Sequence, residues 1–83
     1  MYLVQIENRV RREIKGLPKE TIVRLNQAIT GLREDPRPHG ARKLAYPGGW
    51  HLRIGRYRLL YTVEEPANIV RIYRFKHRRE AYR

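Results

Sequence analysis

The stretch 50-WHLRIGRYRLLYTV-63 alternates apolar and polar residues on both sides of the pair Gly55-Arg56, the signature of two half-buried strands joined by a two-residue turn. Trp50, Leu52 and Ile54 share one face of the first strand, and Tyr57, Leu59, Tyr61 and Val63 continue that face in the second. The opposite face carries His51 and Arg53, then Arg58 beside Leu60 and Thr62. A sheet face that serves solubility alone mixes Thr, Ser, Glu and Lys. This one is nearly pure in positive charge and imidazole, and from residue 37 to residue 62 there is no Asp or Glu.

The flanking sequence supplies the rest of a small domain. "YLVQIE" reads as a first strand, with Val4 and Ile6 on one face and Leu3 on the other. A helix is expected from Asn8, an N-cap residue type, with Val10, Ile14 and Leu17 on its apolar stripe and Gly16 at its end. Pro18 suits the first turn of a second helix, whose stripe is Ile22, Leu25, Ile29 and Leu32 and which stops before "EDPRPHG". After a loop from Asp35 to Gly49 and the two central strands, "EEPAN" turns into a last strand from Ile69 to Phe75. The expected order is β-α-α-β-β-β. It describes a single α+β domain over residues 1–83, an antiparallel sheet with a helical hairpin packed on one face.

Composition narrows the function classes. Nineteen Lys and Arg against eight Asp and Glu give a formal charge of +11, and the isoelectric point is near 10.9. Arg outnumbers Lys fifteen to four. Because the guanidinium fork pairs with phosphate through two hydrogen bonds, an Arg-dominated excess points to nucleic acid, with an acidic protein as the alternative partner. A membrane is not expected as a partner: no basic amphipathic helix carries Trp or Phe, and no apolar run is long enough to span. "MYLVQIENRV" lacks the pattern of a secretory signal, and the absence of cysteine fits a reducing, cytoplasmic setting. His39, His51 and His77 are scattered, without Asp or Glu at ligand spacing, so neither a metal nor a cofactor is expected.

Adjacent antiparallel strands place side chains roughly 5 Å apart, so His51, Arg53 and Arg58 form a cluster. Two readings fit it. A solvated basic face that tracks a nucleic-acid backbone is the commoner use of such a surface. The sharper reading is a phosphodiester-cleaving site. That chemistry needs a base, a cation to stabilise charge building on the phosphate, and an acid for the leaving oxygen. Arg can serve as the cation but not as the base, whereas His can act as base or acid near neutral pH. The C-terminal "HRREAYR" adds His77, Arg78 and Tyr82, the last able to stack on a base. Tyr46 and the Gly48-Gly49 pair have no distinguishing context in the sequence, the glycines reading as loop punctuation.

The succession "LPKETIVRLNQAITGLREDPRPHGARKL", "WHLRIGRYRLLYTV" and a last strand ending in "HRREAYR" resembles the RelE/ParE superfamily of bacterial and archaeal toxins over nearly the whole chain. The resemblance implies the same order of elements and a toxin neutralised by a cognate acidic antitoxin. In the RelE branch it implies an mRNA endoribonuclease acting in the ribosomal A site, without metal, through attack by the ribose 2′-hydroxyl. RelE-type proteins place two basic side chains, often Lys, where this sequence has His51 and Arg53. They place an Arg after the Tyr of the next strand, here Arg58 after Tyr57. A basic or His position falls on His77 or Arg78, and a terminal Tyr on Tyr82. The departure is His51 with Arg53 in place of lysines, which moves the expected base to His51 or His77. ParE-type members share the fold but resemble inhibitors of DNA gyrase.

Overall fold

The computed structural model describes residues 1–79. Seven elements follow one another: β1 (Leu3–Ile6), α1 (Asn8–Glu13), α2 (Lys19–Glu34), β2 (Arg42–Lys43), β3 (Gly49–Ile54), β4 (Tyr57–Glu64) and β5 (Ile69–His77). The strands form one sheet in the order β1-β5-β4-β3-β2. From β2 to β5 every pairing is antiparallel. β1 instead lies parallel to β5, Leu3 opposite Ile69 and Ile6 opposite Ile72, which makes the sheet mixed. The helices between β1 and the rest supply the crossover that a parallel pair needs.

Alternation decides which face is covered. Leu59, Tyr61, Val63, Val70, Ile72 and Phe75 join Val10 of α1 and Leu25, Ile29 and Leu32 of α2 in one buried cluster. α1 packs on β5, and α2 runs under β1 and β3. The apolar spacing of α2 is that of a helix burying one stripe. α1 is shorter than its stripe suggests. It begins at Asn8 rather than being capped by it; Glu7 holds the cap position without a side-chain bond, and the chain leaves the helix through Ile14 toward Gly16 at φ +82°.

The β3–β4 turn places Gly55 at φ +59°, the conformation that the first position of such a hairpin turn requires of glycine. Two tethers hold the long loop before β3. Tyr61 donates its hydroxyl to the Pro36 carbonyl oxygen at 2.7 Å. Arg37 pairs with Glu65 and sits 5.9 Å from the Trp50 ring.

Strand β5 contains the irregularity that matters most. Tyr61 is opposite Ile72, but Leu60 is opposite Arg74, so Tyr73 is an extra residue in a β-bulge. Before the bulge Val70 and Ile72 face the core; after it Phe75 does. Beyond Ile6, where β1 has ended, α1 closes this stretch of β5. Glu13 accepts the Phe75 amide N–H at 2.8 Å and Arg74 Nε–H at 2.8 Å.

Candidate functional site

Register assembles the outer face row by row. Arg53 is directly opposite Arg58, and Arg58 is directly opposite Lys76, so three cationic residues lie side by side across β3, β4 and β5. The next row runs Arg42, His51, Leu60 and Arg74 across β2 to β5. The expected juxtaposition of His51, Arg53 and Arg58 is therefore present. Two cations that the sequence reading left out, Arg42 and Lys76, join it. Arg42 sits in a two-residue strand too short to show a period. Lys76 is hidden by the bulge, because counting by twos from Ile72 turns it inward. Its one signal in the sequence is Phe75, an apolar residue out of phase with Val70 and Ile72.

The bulge also corrects the expected place of His77. His77 is opposite Tyr57 and packs edge-on against that ring at 5.5 Å, which puts it on the helix-covered face. There it lines a cleft of about 550 Å³ with Glu20, Thr21 and Arg24 of α2 and with Ile54 and Tyr57. It does not join His51, Arg53 and Arg58. Arg78 lies just past β5, exposed, its N–H donated to the Arg56 carbonyl at 2.7 Å. Tyr82 lies outside the described residues.

Electrostatics on this face favour a neutral imidazole. Burial, then the charges of Arg58 and Arg42, holds the His51 pKa below its ordinary value of 6.5. Its Nδ1 is buried without a hydrogen-bond partner among the described residues. At neutral pH the ring can therefore accept a proton. Arg53 bonds weakly to the Gly55 carbonyl at 3.3 Å and stays exposed. Among the described residues no group of acidic, His or Cys side chains could hold a metal ion. No helix among them is long and apolar enough to cross a membrane.

A protein-family model for the ParE toxin of type II toxin–antitoxin systems matches residues 4–82. The chain belongs to this toxin family. Solved structures agree on the fold and place the toxin in the RelE/ParE superfamily. The archaeal RelE–RelB complex from Pyrococcus horikoshii is 28% identical and superposes with a TM-score of 0.87, over 96% of this chain and 98% of that one. The RelBE2 toxin–antitoxin complex from Mycobacterium tuberculosis is 26% identical, with a TM-score of 0.78 over 92% and 96%. The intact E. coli RelBE complex, 22% identical, shares the fold with a TM-score of 0.79 over 93% and 96%. No curated protein matches the chain.

Proposed function

We propose that this toxin is a cytoplasmic, ribosome-dependent endoribonuclease that cuts mRNA in the A site. The observation that carries the reading is the row Arg53–Arg58–Lys76 with neutral His51 in the adjoining row. His51 takes the proton of the ribose 2′-hydroxyl, and the 2′-oxygen attacks the neighbouring phosphorus. Arg53 and Arg58 bind the non-bridging oxygens, where negative charge grows in the transition state. The bond from phosphorus to the 5′-oxygen breaks, and that oxygen takes a proton from the Lys76 ammonium. The products carry a 2′,3′-cyclic phosphate and a 5′-hydroxyl. With the cations supplied by side chains, this route calls for no metal.

The other arginines would grip ribosomal RNA through phosphate contacts that orient without reading sequence. A cognate antitoxin, acidic and partly disordered when free, would cover the basic face; the RelBE2 and E. coli RelBE structures are toxin–antitoxin complexes by name. The matching family model carries the ParE name, which favours DNA gyrase as the second reading.

Primer extension on a defined mRNA in a cell-free translation reaction separates the two. Cuts at ribosome-occupied codons are expected with the wild type, and none with Arg58→Ala that keeps its circular dichroism spectrum. Intact mRNA together with loss of gyrase supercoiling activity would overturn the nuclease reading.

A further inference from the structure

One part of the outer face is aromatic. Gly49 begins β3 on the side of His51 and Arg53, opposite Thr62. A Cβ at Gly49 would fall 2.3 Å from Cε2 and 2.6 Å from Cζ of Tyr46, so the Tyr46 ring occupies the space that any other residue's side chain would fill. Tyr46 remains 42% exposed. Its neighbour is Tyr73, the bulge residue, with ring centroids 6.4 Å apart and planes tilted by 55°. The tilt leaves neither ring face used up on the other. Tyr73 thus stands on the same side as Lys76, which the bulge turns outward.

This pair adjoins the cations rather than standing apart from them. Gly49 precedes His51 by two residues and Arg53 by four in β3, which sets Gly49, against which the Tyr46 ring lies, ~7 Å from the His51 row and ~13 Å from the phosphate row. On β4 the same two rows carry Thr62, opposite Gly49, and Leu60, opposite His51. A single-stranded nucleic acid asks for this combination, with cations along the backbone and exposed rings on which unpaired bases stack.

We propose that Tyr46 and Tyr73 form a stacking platform for a nucleobase of single-stranded RNA, next to the nucleotide whose phosphate meets Arg53, Arg58 and Lys76. Its role as a substrate subsite rests on the nuclease reading, while the platform itself is a binding claim with its own readout. Gly49 is the seat of the platform. The residue before Trp50 must lack a side chain so that the Tyr46 ring can lie against the strand.

The test uses the full chain and a short single-stranded RNA, 2′-O-methylated so that it cannot be cut, carrying 2-aminopurine as the fluorescent base. The wild type should bind it and quench the fluorophore by stacking. Tyr46→Leu and Tyr73→Leu, which keep an apolar cover over the strand, should each weaken binding by about tenfold or more and lose the quenching. Tyr46→Phe and Tyr73→Phe should retain both. Wild-type affinity and quenching in the folded Leu variants would overturn the platform, as would Phe variants that fail like Leu, or a wild type that does not bind. Stacking without mRNA cleavage in the translation reaction would remove the nuclease reading and leave the platform. Cleavage at wild-type rates by the Leu variants would leave the nuclease reading and remove the platform's role as a substrate subsite.

Discussion

Leu59 and Arg58 are neighbours in β4, yet the first is fully buried against the helices while the second stands in a row of cations on the open side. The same contrast separates Phe75 from Lys76 in β5. On the inner face, side chains are chosen by the volume they fill, and any apolar residue of the right shape would serve. On the outer face volume matters little. Charge, proton affinity and ring exposure decide what the surface can do, so damage there should appear in activity and leave folding intact.

Substitutions can break that contrast. Leu59→Ala should cost about 2–5 kcal/mol of stability in denaturant unfolding, since it opens a cavity at a fully buried position. Exposed Arg53→Ala should stay within about 0.5 kcal/mol of the wild type. Equal losses for both would show that the faces are not separable.

A second comparison sets the two sides of the bulge against each other through adjacent residues. Lys76→Ala should slow mRNA cleavage by about 10²–10⁴-fold, the usual contribution of a positioned general acid. His77→Ala should slow it less than tenfold, because that ring lies against Tyr57 on the other face. A reversed order, measured in the same primer-extension reaction, would mean that His77 reaches the substrate after all.

The smallest effect is in pH. A base must be unprotonated, and the His51 pKa lies below 6.5. The acid limb of the cleavage rate should therefore fall below pH 6.5, and Arg42→Gln should move it upward by removing one of the charges that depress it. An acid limb at or above pH 6.5 in the wild type would exclude His51 as the base. By linkage, the depressed pKa makes the unfolded chain take the proton first. The contribution of His51 to stability is thus complete above pH 6.5 and is lost as the pH falls through the folded value.

The sheet hairpin and α2 were legible because each carries a clean period: two in Trp50–Val63 and three-to-four in Ile22–Leu32. The juxtaposition of His51, Arg53 and Arg58 followed from the hairpin alone. What stayed hidden depends on pairing between strands. The parallel setting of β1 is not written in β1, whose alternation would suit either direction. β2 is two residues long. The bulge at Tyr73 shows only as Phe75 out of step, and without it Lys76 and His77 exchange faces. Tyr46 and Gly49 read separately as a loop aromatic and loop punctuation. Only the folded chain lays the Tyr46 ring where a Gly49 side chain would be.

Deleting Tyr73 would set Arg74 directly after Ile72 and leave Arg74 and Lys76 outward and Phe75 and His77 inward, because the bulge residue is the one that β4 does not pair. Flattening the bulge with Tyr73 kept would instead swap the faces of all four residues, a change that no single substitution makes. The chemistry of the strand's last third is therefore stored as a phase between two strands. Losing the extra residue should thus cost the toxin one aromatic ring and spare the order of faces downstream.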